Sequence, residues 1–244
     1  MLLNKALFLV LDTETTGFDH KEDKVVQIGA VWLDSNFDTV DTYESLVCPG
    51  EKRIPAGASA IHHLIDEDVE KAPRLEEVLK EIERRGKYNC IAAHNAPFDM
   101  GFIKPPSDIP VIDTLRLARK LWPDIESHKN QFLRYHFQLK VPRDLPAHSA
   151  LPDALSTAAF LKFALEHMKS AAKDPNTIDI PGLLEWLAKP MNMSASKARF
   201  GKHKGKTWSE IAQQDRSYLS WMIGPKGMSE LDEDLKHTVQ RLLG

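Results

Sequence analysis

Leu7-Phe8-Leu9-Val10-Leu11-Asp12-Thr13-Glu14-Thr15-Thr16-Gly17 decides how the rest of this chain is read. Its five leading apolar residues spell a strand buried on both faces. Side chains alternate across a strand, so Asp12 and Glu14 point the same way, at the sheet's carboxyl edge. Thr15-Thr16-Gly17 then supplies turn chemistry. Two carboxylates on one face repel each other unless a cation lies between them, and hard oxygen ligands suit Mg²⁺ or Mn²⁺. The alternative is a strand end finished by solvated acids, and this stretch alone does not choose between them.

Moving outward, Val25 to Leu33 reads as a second strand and Thr42 to Val47 as a third, joined by short polar stretches that suit antiparallel neighbours. Pro49 to Gly57 reads as a loop. His62 and His63 are adjacent and cannot share a metal as an i, i+4 helical pair would, so a surface or loop role is favoured for them. Leu75, Val78, Leu79 and Ile82 recur at helical spacing within Arg74 to Arg85. A fourth strand, Asn89 to Ala93, runs into His94-Asn95-Ala96-Pro97-Phe98-Asp99, and Pro97 suits the first turn of a helix. Asp99 is either a first-turn acid facing the helix dipole or, if the fourth strand is parallel to the first, a partner of Asp12 and Glu14. Pro110 to Asp113 reads as a short strand, with helices over Thr114 to Leu121 and Lys129 to Phe137. The run Ala147-His148-Ser149-Ala150-Leu151-Pro152-Asp153 opens a helix through about His167, with Ala154, Ala158, Leu161, Leu165 and Met168 as its apolar stripe. Asp153 falls in its first turn and His148 on the loop before it.

The 244 residues suffice for one good core plus a small appendage, and 42% apolar with 27% charged is an ordinary globular balance. A net charge of −3 argues against coating nucleic acid by bulk electrostatics, while leaving room for a local basic patch. Cys48 and Cys90 have no CxxC spacing and lie in apolar strand-like runs, so they read as buried free thiols in a reducing compartment. No apolar run is long enough to span a bilayer, and the expected location is cytoplasmic. Residues 169–195 read as a linker with one short apolar turn near Leu183, Leu184 and Trp186. The charge then changes sign: residues 191–244 hold nine Lys and Arg against six Asp and Glu. Thr207-Trp208-Ser209-Glu210 and Ser229-Glu230-Leu231-Asp232 both carry a capping-box pattern.

Four acids in three blocks plus one histidine make a coherent set. Two metal ions about 4 Å apart can activate a water and hold both the attacking and the leaving oxygen of a phosphodiester. An imidazole, with an unperturbed pKa of about 6.5, can take the water's proton. Phe200-Gly201-Lys202-His203-Lys204-Gly205-Lys206-Thr207 looks like a phosphate loop, but that loop needs four residues between its glycines and a buried strand before it. Triphosphate binding is therefore rejected. A basic turn before a helix carrying Trp208 could instead hold a nucleic-acid backbone through Lys202, Lys204, Lys206 and amides at the helix start, or be a solvated loop.

The blocks Asp12-Thr13-Glu14-Thr15-Thr16-Gly17, His94-Asn95-Ala96-Pro97-Phe98-Asp99 and His148-Ser149-Ala150-Leu151-Pro152-Asp153 resemble the DnaQ-like 3′–5′ exonucleases of the DEDDh type. Ile61-His62 and Ile112-Asp113-Thr114 match stretches common in that family. Phe200 to Lys206, Tyr218-Leu219-Ser220-Trp221 and Leu117 to Pro123 are similar to its exonuclease X branch. The resemblance implies an α/β, RNase H-like fold with a five-stranded mixed sheet flanked by helices, over residues 1–168. A basic, mainly helical module over 196–244 would follow. It implies two Mg²⁺, with Mn²⁺ able to substitute, held by Asp12, Glu14, Asp99 and Asp153, and His148 as general base. It implies contacts to the terminal nucleotide from Thr13, Thr15, Thr16, Phe18, His62 and Asn95. DNA 3′ ends are the implied substrate, single-stranded or duplex, in repair or replication fidelity. The rivals are RNA trimming of the RNase T or oligoribonuclease kind, a polymerase-held proofreading subunit with replication or repair partners, and a non-catalytic nucleic-acid-binding module.

Overall fold

The structure is a computed structural model, and it describes all 244 residues apart from 143–147, 199, 226, 229 and 230. β1 (Phe8–Thr15), β2 (Val25–Leu33) and β3 (Thr39–Leu46) form an antiparallel meander. β2 is buried along its whole length, whereas β3 is polar and forms one edge of the sheet. α1 (Ala56–His62), α2 (Asp66–Val69) and α3 (Leu75–Arg85) cross back over the sheet. β4 (Cys90–Ala93) then lies parallel to β1. α4 (Ala96–Ile103) leads to β5 (Val111–Asp113), which is parallel to β4, and the sheet order is β3-β2-β1-β4-β5. Because β4 runs with β1, the start of α4 falls on the edge where β1 delivers Asp12 and Glu14. α5 (Thr114–Leu121), α6 (Asn130–His136) and α7 (Ala150–Ala171) follow.

The alternation of β1 separates two layers. Leu9 and Leu11 pack in one cluster with Val78 and Ile82 of α3 and Phe102 of α4. α7 lies against β1, β2 and β3 on the opposite face, burying Ala154, Ala158, Leu161 and Leu165. Its small residues allow a close approach, and one glycine is essential to it. A Cβ on Gly29 would sit 2.3 Å from the carbonyl carbon of Ala150, so only glycine lets the start of α7 rest on β2. Gly29 is also the register partner of Asp12. The helix is thereby brought down beside the acidic end of β1.

Several expectations need correction. α1 begins at the end of the stretch read as loop, and it holds His62, expected at the surface or on a loop, in its last turn as a buried residue. Its seven residues carry no acid in the first turn and no side-chain cap, so little in them announces a helix. Cys48 is half-buried beyond the end of β3, while Cys90 is buried within β4, and both are free thiols. The stretch read as linker holds the last turn of α7, a 3₁₀ turn at Pro175–Thr177 and α8 (Ile180–Ala188). Pro181 is a first-turn residue of α8, a place where proline's missing N–H costs nothing.

The chain divides into two compact units, residues 1–119 with 127–184 and residues 120–126 with 185–244. The second unit contains α9 (Trp208–Gln214), α10 (Arg216–Met222) and α11 (Glu233–Leu243) around Trp208, Ile211, Leu219, Met222, Leu235 and Val239. Thr207 and Glu210 make the expected capping box at α9. The one read at Ser229-Glu230 lies outside the described residues, and α11 is capped instead by Asp232, whose carboxylate accepts from the amides of Asp234 and Leu235. Among the described residues no helix is long and apolar enough to cross a membrane.

Candidate active site

Asp12 and Glu14 leave β1 on the α7 side, and Asp153 comes down onto them from the first turn of α7. One carboxylate oxygen from each of these three residues lies within 4.8 Å of the others. Asp99, buried in the first turn of α4, is outside that converging trio but near enough to raise both Asp12 and Glu14 electrostatically. β1 pairs with β4 only as far as Val10, which frees the Thr13 amide on that edge. Asp99 Oδ1 takes that amide (3.0 Å) and the Thr13 hydroxyl (2.7 Å). A buried backbone donor beyond the end of a ladder needs such an acceptor.

The electrostatics are those of buried acids that raise one another. Burial lifts the Asp12 carboxyl well above its usual range, and Asp99, Asp153 and Glu14 add to the rise. Glu14 is pushed up to about 7, first by burial, then by Asp153 and Asp99. Asp99 is likewise raised to about 7 by burial, against the opposing pull of its Thr13 hydrogen bonds. This donor set fits a divalent cation, because carboxylate oxygens of Asp12, Glu14 and Asp153 converge and repel one another.

Asp153 is held by a different set of partners. Its Oδ1 accepts from Gln131 Nε2 (2.5 Å) and its Oδ2 from the His148 amide (3.1 Å). Asn130 Nδ2 bonds the Asp153 carbonyl (2.9 Å) and the Thr157 hydroxyl (3.1 Å). The start of α7 is not capped by Ser149 itself. Gln27 Oε1 accepts from the Ala150 amide (3.1 Å), and Glu44 Oε1 from the Leu151 amide (3.3 Å) and the Ser149 hydroxyl (3.2 Å). Gln27 Nε2 donates to Glu44 (3.1 Å), closing a network from β2 and β3 onto the helix start. None of these four positioning residues stood out in the sequence reading. Gln27 carried a signal, because it is the single polar side chain in the nine-residue apolar run of β2.

His148 sits in the left-handed region (φ 60°) with its side chain exposed, directly before Ser149 and α7. Asn95, also left-handed (φ 70°), is exposed, and its amide is tied to Asp113 Oδ1 (3.0 Å). His94 is half-buried with both ring nitrogens engaged, by Thr114 Oγ1 (3.0 Å) and the His128 carbonyl (2.9 Å), and its desolvation pushes it down to about 4. It fixes the turn into α4 as a neutral ring. The hydroxyls of Thr15 and Thr16 face inward: Thr15 donates to the Gly17 carbonyl (2.6 Å) and Thr16 to Asp23 (2.9 Å). The turn they shape carries Phe18, 81% exposed, with its ring 6.0 Å from that of Phe98. His62 accepts from the Leu64 amide through Nδ1 (3.1 Å), and its buried Nε2 has no hydrogen-bond partner among the described residues.

The fold that carries this site is shared with known proteins. The sequence profile described as Exonuclease matches residues 9–161. The chain belongs to the exonuclease family. A second profile, Exodeoxyribonuclease X-like C-terminal, matches residues 199–224 of this family member. A solved structure of exonuclease X with 5′ overhanging duplex DNA is 31% identical and superposes with a TM-score of 0.59, covering 71% of this chain and 98% of that one. The zinc-bound complex of E. coli ExoI with single-stranded DNA, 20% identical with a TM-score of 0.56, covers 67% of this chain and 41% of that one and shares the fold. The PolC-type DNA polymerase III of Clostridium perfringens is 36% identical over 169 residues. The DNA polymerase III subunit epsilon-like protein of Rhodobacter capsulatus is 34% identical over 170. Each match covers 66% of this chain but only 11% and 24% of those relatives.

In the second unit the loop lysines are unequal. Lys202 Nζ is paired to Asp215 (2.6 Å), Lys206 Nζ donates to Gln214 (2.5 Å), and Lys204 is exposed. The Thr207 amide is taken by Glu210 and the Glu210 amide by Thr207, so these amides of the helix start are used within the chain. Trp208 is core, not surface.

Proposed function

We propose that this chain is a metal-dependent 3′–5′ exodeoxyribonuclease, hydrolysing the terminal phosphodiester of DNA to release 5′-mononucleotides. The observation that carries this reading is the convergence of Asp12, Glu14 and Asp153 from a strand end and a helix start, in a chain of the exonuclease family. The likeness to exonuclease X supports DNA as the substrate. Asp12, Glu14, Asp99 and Asp153 would hold two divalent ions, Mg²⁺ or in its place Mn²⁺. When bound, such ions neutralise the phosphodiester and the leaving oxygen.

The chain's own residues do the rest. Thr13 orients Asp99 through two donors, while Gln131 and the His148 amide orient Asp153. The exposed imidazole of His148 takes the proton of the attacking water at a ring nitrogen. Phe18 offers its exposed ring to the terminal base, the exposed Asn95 offers polar contacts to the terminal nucleotide, and the buried His62 backs the turn of residues 13–18 from α1. Thr15 and Thr16 act by holding the turn that carries Phe18. Lys202, Lys204 and Lys206 provide backbone contacts, with Lys204 the most available of the three.

The test is degradation of 5′-labelled single-stranded DNA, duplex DNA and RNA in parallel, with Mg²⁺ or EDTA and an Asp12→Ala control. Ladders shortening from the 3′ end of DNA, lost with chelator and in the variant, are expected. Preference for RNA would move the chain to RNA trimming, and no cleavage would make it a binding module. The polymerase relatives favour a second reading, proofreading beside a polymerase in the cytoplasm, which co-purification with a polymerase would support.

A further inference from the structure

Beside its loop lysines the second unit carries an aromatic surface to which no role has yet been given. The loop from Ala198 to Lys206 is closed by the bonds Ala198 N to Lys206 O and Gly205 N to Ala198 O, both 2.8 Å. Gly201 and Gly205 are left-handed (φ 72° and 93°), and a Cβ on Gly201 would lie 2.3 Å from Tyr218 Oη. The loop therefore rests directly on α10. Asp215 fastens it there: Oδ2 accepts from Lys202 Nζ (2.6 Å) and His203 Nε2 (2.9 Å), and Oδ1 from the Ser217 hydroxyl (2.7 Å) and the Tyr218 amide (3.1 Å).

On this fixed base Tyr218 and Trp221, one turn apart on α10, are stacked with centroids 5.7 Å apart and planes at 28°. Lys202 lies over the Tyr218 ring at 5.2 Å. Trp221 is 49% exposed, although Trp208 of the same unit is wholly packed in the core. On the same loop, Lys204 is exposed and has no partner among the described residues, and Lys206 bonds to the neutral Gln214 and lies near the Glu210 carboxylate. We propose that the Tyr218–Trp221 stack with Lys204 and Lys206 is a second nucleic-acid site, taking an unpaired strand with a base on Trp221 and phosphates on the loop lysines.

Two features favour an unpaired strand over an apolar protein partner. Stacked rings present a flat π-face, which every base can match without sequence preference. The cations beside them complement a polyanion, and residues 191–244 carry a net positive charge while the remainder is negative. Rigidity adds to the case, since a ledge already held by Asp215 loses little freedom on binding. The site shares Lys204 and Lys206 with the backbone contacts proposed above but uses none of the residues assigned to metal binding, proton transfer or the terminal nucleotide, so its stacking ledge can be tested apart from that reading.

The test is fluorescence anisotropy of labelled dT20 with the full chain in EDTA. Trp221→Ala should weaken binding about tenfold, the loss of one stacked base, and leave a blunt duplex unaffected. Lys204→Ala should lower the salt slope by about 0.7 on the single strand. Should Trp221→Ala melt early, Trp221→Phe against Trp221→Leu carries the comparison, with Phe binding near wild type and Leu about tenfold weaker. Equal binding by Phe and Leu, or dT20 binding by Trp221→Ala within twofold of wild type, would overturn the proposal. So would an equal loss on the blunt duplex. Hydrolysis of a mononucleotide ester by the same variants reads the first unit: its absence counts against the exonuclease reading alone.

Discussion

Glu14 shows what a confined acid does to a fold. A carboxyl whose folded pKa lies above its unfolded value keeps a proton that the unfolded chain has already released. Its contribution to stability is full below the unfolded value of about 4.5 and is lost as pH rises through about 7. Glu14→Gln removes that loss. In EDTA at pH 8 the variant should melt about 5 °C above wild type, and near pH 4.5 the two should coincide. His94, desolvated as a neutral ring, works in the opposite sense between about 6.5 and 4, but it is common to both proteins and cancels. Added Mg²⁺ at pH 8 should raise the wild type more than the variant, and equal shifts would remove Glu14 from the metal site. On activity, Asp12→Ala should abolish turnover with the fold intact, and nuclease activity retained in pure protein would sink that assignment. His148→Ala should slow single-turnover hydrolysis about 10²–10⁴-fold, the usual worth of a positioned base. An unchanged rate would leave the proton transfer to another group.

At the scale of elements, the site depends on how α7 meets the sheet. Gly29 lets its first turn touch β2, while Gln27 and Glu44 satisfy the amides that Ser149 leaves open. Gly29→Ala should therefore act twice. Overpacking of this kind costs about 1–3 kcal/mol, read as a melting temperature lower by about 3–10 °C. Lifting Asp153 away from Asp12 and Glu14 should also lower kcat by tenfold or more, since positions at a reacting centre tolerate little displacement. A variant that melts early but keeps full kcat would show that the acids do not need this contact. Glycine in the interior of a buried strand is a legible mark of close approach, and Gln27 two residues before it is a legible anomaly. What they serve was not legible, because the helix they receive begins more than a hundred residues later.

For the whole molecule, the charge asymmetry separates two kinds of contact with nucleic acid. On the proposed reading, hydrolysis would belong to an acidic first unit and backbone attraction to a basic second one. Binding of long single-stranded DNA should accordingly weaken as salt rises, and Lys204→Ala should flatten that dependence more than Lys202→Ala, whose charge Asp215 already neutralises. Equal slopes for the two variants would mean that Asp215 releases Lys202 when nucleic acid binds.

The sequence by itself determined the strands, their order of appearance, the helix starts and the identity of the acids. Alternation, proline placement and capping patterns act between near neighbours, so Val25 to Leu33, Thr114 to Leu121 and the Thr207 cap could be read directly. Helices with weak local signals, α1 and α8, could not. Only the tertiary structure decided which acids meet, that Thr13 serves Asp99, that His62 is buried, and that Trp208 is core while Trp221 faces solvent. Those outcomes rest on partners such as Glu44 with Leu151 and Gln27 with Ala150, 107 and 123 positions apart. A local pattern fixes which way a side chain points from its own element, but not what the folded chain brings to meet it.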